Sequence, residues 1–404
     1  MTVTAPPRPP RPGDPVDREE LEALIEALIE EARQRARRRR LTYAAGATAV
    51  ALIGVVVFAI FDRTAQSQSA SAVPAGRPSL AAGTAGSKML FISEPLHTGY
   101  DGVVYVMNAD GSGKRRLAPA FPGMRWSPDG QKIAFATWQD STSDVYVMNA
   151  DGSGQERLTS DAGWDGSPAW SPDGQAIAFA RHQAGRRSSE VYVMNPDGSG
   201  QRRLTSDSTD GTPAWSPDGR TIAFVSGHGV DMEIDVMNAD GSGQRKLTRN
   251  AVRDSDPVWS PDGRRIAFVS NWQVNVMNAD GSGKRRLTRN GGQNVAPAWS
   301  PDGRKIASER RLGRVKYGPC NGCGRALSFE VYVMNADGTM PRRLTRRGAQ
   351  PLWSPNGRRI GFVSERDGNA EIYVMNADGS GQRNLTRTRD RHESWFTWSP
   401  GQVR

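Results

Sequence analysis

One phrase, returning seven times, restricts what this 404-residue chain can fold into more than any other feature. From Lys88 onward the sequence cycles through an apolar run of the IAFVS type, then VYVMNADGSG, then RRLT, then PAWSPDG. The VMN element is centred on Met107, Met148, Met194, Met237, Met277, Met334 and Met375. The WSP element begins at Trp126, Trp170, Trp215, Trp259, Trp299, Trp353 and Trp398, at intervals of 44, 45, 44, 40, 54 and 45 residues. A period of that length with four short apolar runs is the signature of a β-propeller blade.

Each part of the phrase has a local physical meaning. SPDG sets Pro, Asp and Gly where a type I turn accepts them, between a first strand ending at Trp and a second strand, IAF. NADGSG carries Asp-Gly between VYVM and RLT, a strong hairpin signal. IAF and VYVM are apolar at successive positions, so both faces of each strand must be covered, as they are when blades pack on one another. The fourth strand carries basic residues such as Lys114–Arg116, Arg202, Arg203, Arg342 and Arg343. Charge on an outermost strand blocks edge-to-edge pairing. The first phrase starts at its second strand, Lys88 to Ser93, and the last ends on a lone first strand, Ser394 to Pro400. If these share a blade, the C-terminus clasps the ring. The expected fold is all-β: a seven-bladed β-propeller of four-stranded blades, with six blades as the alternative, and one N-terminal transmembrane helix.

The residues before the repeats divide into three zones. Residues 1–40 combine a Pro-rich start, expected to be disordered, with a helical pattern from Asp17 to Arg40. In it Leu21, Leu24, Ile25, Leu28 and Ile29 share one face, suited to lipid or to a docking partner. Leu41 to Phe61 holds no charged residue. Its 21 residues would span about 31 Å as a helix, the thickness of a bilayer core. RQRARRRR stands just before it, whereas only Arg63 and Arg77 follow soon after. The positive-inside rule then puts the N-terminus in the cytoplasm and the repeats outside. Residues 62–87, rich in Ala, Ser and Gly, read as a flexible linker, and 88–404 as the propeller. A 37% hydrophobic content excludes a polytopic membrane protein. The net charge of +10 raises nucleic acid as a partner, but most of it is spread over the repeats at recurring positions, which argues against a nucleic-acid groove.

The phrase VYVMNADGSGxxRLT…PxWSPDGxxIAF resembles the WD-repeat-like propeller repeat of the TolB family. The resemblance covers the chain from Lys88 to its end and implies an envelope protein-interaction propeller. It departs from the family pattern in its seven repeats, in lacking a preceding globular domain, and in keeping an anchor instead of a cleaved signal. The same repeat resembles the propellers that gate prolyl-oligopeptidase-like enzymes, but with four residues after Pro400 a hydrolase domain is not expected here.

Few residues suggest chemistry. No nucleophile elbow is present, and His97, His182, His228 and His392 have no shared spacing. Five residues before the tryptophans stand Asp165, Asp210, Asp254, Asn294 and Glu393, with Phe121 and Gly348 at the other two positions. On a loop at one channel mouth they would form a partial acidic ring for a cationic peptide, a cation or a sugar. The alternative is that they shape the turn before Pro. Cys320 and Cys323, in GPCNGCG, occupy the one long insertion and are candidates for a local disulfide. Two thiols alone make no zinc site, so neither metal nor cofactor is expected. The expectation is therefore a non-catalytic, membrane-anchored propeller holding an envelope protein or peptide, without nucleic acid. The alternatives are a sensor coupled to the cytoplasmic helix, or a polysaccharide-acting enzyme.

Overall fold

The computed structural model describes residues 87–95, 102–119, 123–139, 142–161, 163–183, 189–206, 211–227, 231–289, 291–312 and 328–401. The expected disordered start, basic helix and apolar span lie outside these residues, as do Asp210, Cys320, Cys323, His97 and His228. Every regular element among the described residues is a strand, and none of these residues forms a helix long and apolar enough to cross a membrane.

The strands form five four-stranded sheets and one of eight. The sheet Asp254–Trp259, Arg265–Ser270, Gln273–Asn278, Arg285–Arg286 is representative. Its strands are antiparallel and follow the chain order, with Ile266 opposite Met277 and Val276 opposite Arg285. The eight-stranded sheet is two such sets, Arg125–Arg157 and Trp164–Arg203, joined by one parallel bridge from Ser143 to Trp164.

Burial follows the phrase. Second and third strands are covered on both faces, as in Thr221–Ser226 and Glu233–Asn238, whereas the fourth strand Arg245–Lys246 is exposed. The phenylalanines of the second strands (Phe91, Phe135, Phe179, Phe224, Phe268 and Phe362) are at most 2% exposed. Burying each such ring contributes roughly 1.5–3 kcal/mol. Each apolar cluster joins two successive sets. Ile133 and Phe135 pack with Leu90 and Val104, and Ile266 and Phe268 with Val225 and Val236. The succession returns on itself, because Ile372 and Val374 of the last set pack with Met89, Phe91, Phe396 and Trp398.

The closure itself is a strand exchange between the chain ends. Arg391–Trp398 pairs antiparallel with Lys88–Pro95, with Met89 opposite Trp398 and Phe91 opposite Phe396. The Lys88 amide donates to Ser399 Oγ at 2.8 Å. The sheet therefore takes its first strand from the C-terminal end, as the register of the repeats predicts. Neighbouring sets also interlock at their hairpins. Gly198 of one NxDGSG turn has φ +83°, and a Cβ there would lie 2.9 Å from the Leu158 carbonyl of the preceding set. Only glycine fits such a place.

Candidate functional site

The antiparallel order puts SPDG and NADGSG at the same end of every set and the connections of variable length at the other. The first end is uniform. Ser260 Oγ donates to Asp262 Oδ1 while the Arg264 amide donates to the same oxygen. Ser282 and Asp280 repeat the pattern in the hairpin. The serine hydroxyls hold Asp262 and Asp280 below the usual carboxylate range. These aspartates are turn residues, and the GSG that follows is part of the hairpin. Variable loops supported by a rigid frame are where binding residues concentrate, so the opposite end is the candidate.

The residues five before the tryptophans lie at that end, but within strands. Asp165, Asp254, Asn294 and Glu393 are 2% exposed or less, one at each of four junctions between sets. They are not gathered on an open rim. The Asp254 amide donates to the Met232 carbonyl of the preceding set at 2.7 Å, Asn294 to Trp272 at 2.7 Å and Glu393 to Ala370 at 2.7 Å. Their side chains meet a second series that sequence reading missed: Asp144, Glu190, Glu233, Gln273, Glu330 and Glu371, all buried at the head of third strands. A signal was available, since an acid or Gln precedes the VYVM-type run in six of seven copies. The threonine of RLT completes the arrangement. Thr248 accepts the Ile234 amide at 2.8 Å and donates to Glu233. Thr288 does the same with Val274 and Gln273, at 3.0 and 2.9 Å.

The junctions differ in how charge is balanced. Arg157 pairs with Asp144 at 2.7 Å, Arg203 with Glu190 at 3.4 Å, and Arg343 with Glu330 at 2.9 Å. Arg181 grips Asp165 through two bonds of 2.8 Å. Gln273 and Asn294 are neutral amides, with Asn294 Nδ2 donating to Gln273 Oε1 at 3.3 Å. Asn250 bridges Glu233 and Asp254, its amide 2.6 Å from Glu233 Oε1 and its Nδ2 2.9 Å from Asp254 Oδ2. Burial holds Asp254 above the usual carboxylate range, and the Glu233 charge adds to this.

Inside the ring the first strands carry a second regularity. The residue three before Trp has positive φ in six sets: Ser167, Thr212, Asp256, Ala296, Gln350 and Trp395, at 31–54°. Pairing slips at this point, as between Ser255 and Val258. A left-handed non-Gly residue costs about 1–3 kcal/mol, and the bulge turns this position away from the packed faces. One residue before Trp, the backbone carbonyl accepts the indole N–H of the next set. The bonds run Trp170 to Arg125, Trp215 to Ala169, Trp259 to Ala214, Trp299 to Val258 and Trp398 to Leu352, at 3.0–3.3 Å.

These inner strands also carry charge. Asp256 is exposed, yet surrounding protein raises its pKa, with Arg253 and Arg311 pulling it down and Glu309 pushing it up. Arg311 is itself bound to Glu309 at 2.6 Å. Arg125 is likewise exposed, and desolvation lowers its pKa. Its guanidinium lies over the Trp395 ring at 5.3 Å. Among the described residues no acid pairs with it. At the variable end Trp164 and Trp272 are 48% and 44% exposed, with Trp164 stacked on His182. His392 accepts the Ala370 amide at 3.1 Å. Among the described residues no three His, Cys, Asp or Glu side chains gather in a metal-holding group.

Residues 84–210 and 207–316 match the family model for the TolB beta propeller domain. Among solved structures the chain is similar to TolB from Acinetobacter baumannii, at 19% identity over 74% of this chain and 79% of that one, with a TM-score of 0.49. It is similar to a putative TolB from Agrobacterium tumefaciens at 23% identity, over 64% and 89%, with a TM-score of 0.45. It is also similar to an oligogalacturonate lyase in complex with manganese, at 15% identity over 73% and 83%, with a TM-score of 0.53. At such identities the likeness concerns the fold alone. No curated protein matches the chain. The recurring phrase, the all-β architecture and a family match over more than half of the sequence make this chain a member of the TolB β-propeller family.

Proposed function

We propose that this chain is a non-catalytic interaction propeller of seven blades that holds an extended segment of an envelope protein at its channel and variable-loop end. Seven apolar clusters, each between successive four-strand sets, support the blade count. Leu41 to Phe61 anchors it in the cytoplasmic membrane with the N-terminus inside and the propeller outside; the charge asymmetry around that segment supports this orientation. The binding reading rests chiefly on Arg125. A guanidinium stacked on Trp395, bonded to the Met124 carbonyl and with no acidic partner among the described residues, is ready to bind a carboxylate or a row of peptide carbonyls. Asp256 with Arg253 and Arg311 supplies groups of both signs, which suits a peptide better than an apolar ligand. Trp164 and Trp272 offer rigid exposed anchors at the variable end.

The test uses the full chain in its own cells, with a photo-crosslinking amino acid at Gln350, at Thr212 or, as control, at Ser282 in a hairpin turn. One protein captured from Gln350 and Thr212, and released by Arg125→Gln, is the expected result. Capture from Ser282 alone, or equal capture with and without Arg125, would overturn the assignment.

A further inference from the structure

Like the junction of Glu233 and Asp254, which Asn250 bridges, the junction at which the ring closes holds two buried acids with no ion pair among the described residues. Its paired acids are Glu371, on the third strand Glu371–Asn376, and Glu393, on the closing strand Arg391–Trp398. They are 1% and 0% exposed. Where Arg157, Arg203 and Arg343 neutralise the corresponding acids, this set has Asn384. Among the described residues no ion pair reaches either carboxylate. The cations nearby are otherwise engaged or distant. Arg391 bonds Ser93 through Nε and Nη2 at 2.5 and 2.8 Å, and Lys114 donates to the Thr386 carbonyl at 3.1 Å. Glu94, on the neighbouring strand, accepts from Ser394 at 3.3 Å. His392 is occupied by the Ala370 amide. Arg387 and Arg389 line a cleft together with Glu371, Thr388 and Asp367.

The hydrogen-bond geometry specifies a proton. Thr388 Oγ1 lies 3.1 Å from Glu371 Oε1 and 2.9 Å from Glu393 Oε1. One hydroxyl proton can serve only one of them, so the other contact sets lone pair against lone pair unless that carboxyl brings its own hydrogen. Glu371 also receives Asn369 Nδ2 at 3.0 Å and the Thr386 hydroxyl. Three donors mark it as the ionised partner. Glu393 has Thr388 and, less directly, the Ser93 hydroxyl, while its Oε2 has no bond of ordinary geometry among the described residues, as suits the carbonyl oxygen of a neutral acid. The same position two sets earlier carries an uncharged version: Asn294 donates where Glu393 would, and Gln273 accepts where Glu371 would, with Thr288 donating to Gln273 at 2.9 Å.

We infer that the closing junction is a proton-binding site: below neutral pH Glu393 carries one proton, donates it to Thr388 Oγ, and Thr388 donates in turn to ionised Glu371. Loss of that proton leaves two buried anions facing each other across the clasp without a cation, and loosens the closing strand. Burial pushes Glu393 up to about 7; Thr388, Ser93 and Lys114 pull it down and the Glu371 charge pushes it up. Because the folded value exceeds that of an unfolded glutamate, the native state binds more protons. Stability is therefore highest below about pH 4.5 for this group and falls as pH rises toward 7, where the loss levels off.

The test compares the full chain with Glu393→Gln in urea unfolding from pH 5 to 8.5. The unfolding constant of the natural chain should rise about 70-fold from this group between pH 5 and 8.5, and Glu393→Gln should remove that rise. An unchanged pH slope in the variant overturns the proposal. If the variant fails to fold, carbon-13 NMR of the natural chain labelled at glutamate carboxyls decides. One glutamate titrating near neutral pH is expected, and all glutamates titrating in the ordinary range overturns it.

Discussion

Changing Gly361 to alanine tests the packing of the closure. In five sets the second strand has alanine at this place (Ala134, Ala178, Ala223, Ala267 and Ala307), and five first strands have Pro two before Trp. At the closure the two positions hold Gly361 and Phe396 instead. A Cβ on Gly361 would sit 2.6 Å from Phe396 Cε2, 3.0 Å from its Cζ and 3.4 Å from Trp398 Cζ2. Ordinary carbon contacts are 3.5–4.0 Å, so the ring must retreat by about 1 Å. Phe396 is 2% exposed and packed among Met89, Phe91, Ile372 and Val374. Overpacking of this kind costs about 1–3 kcal/mol. Phe396→Ala alone leaves a cavity and costs about 3–5 kcal/mol. In that background Gly361→Ala should cost nothing or stabilise slightly, because alanine suits a strand interior better than glycine by roughly 0.5–1 kcal/mol. Urea unfolding of the four proteins, followed by tryptophan fluorescence at constant slope, measures the coupling. An equal cost of Gly361→Ala in both backgrounds would refute the pairing of small with large.

Three further comparisons read other parts of the frame. Thr248→Val should cost about 2–3 kcal/mol by stranding the Ile234 amide and Glu233 Oε2, whereas Thr248→Ser should cost far less; equal losses in thermal melts would contradict the role given to the hydroxyl. Trp215→Phe removes a bond to the Ala169 carbonyl and should lose about 1 kcal/mol more than Trp353→Phe, whose indole N–H has no partner among the described residues. Asp165→Ala leaves Arg181, which is 7% exposed, only its ion pair with the exposed Asp161 and a bond to Gln201, and should cost up to about 3–5 kcal/mol; a loss below 1 kcal/mol would show that Asp161 alone suffices.

The repeat made most of the fold legible before any coordinates. The turn chemistry of SPDG and NADGSG, the doubly buried strands, the basic outer edge and the shared closing sheet all follow from local sequence. These features rest on contacts within a set, or between chain ends whose register the phrase defines. The junctions were less legible. Spacing alone marked Asp165, Asp254, Asn294 and Glu393 as a series, but their placement depends on backbone bonds to the preceding set, about 20 residues earlier in the chain. Period-two alternation cannot reveal that a carboxylate is buried between sheets. Glu233 and Glu371 escaped notice because an acid before an apolar strand reads as a solvated strand start. The left-handed positions from Ser167 to Trp395 carry no common residue type, so no sequence signal marks them. The asymmetry of the closure lay in two departures from the repeat, Gly361 and Asn384, whose meaning appears only when the sets are stacked.

Closure of the ring by the C-terminal strand is the claim on which the channel, the junctions and the proton site all depend. Hydrogen exchange of the intact full chain tests it directly, comparing the segment Lys88–Ser93 with Arg265–Ser270. Both should be protected to a similar degree, since both lie between two paired strands. Exchange of Lys88–Ser93 as fast as that of the exposed fourth strands, with Arg265–Ser270 still protected, would mean that the first sheet has an open edge and that the ring does not close as described.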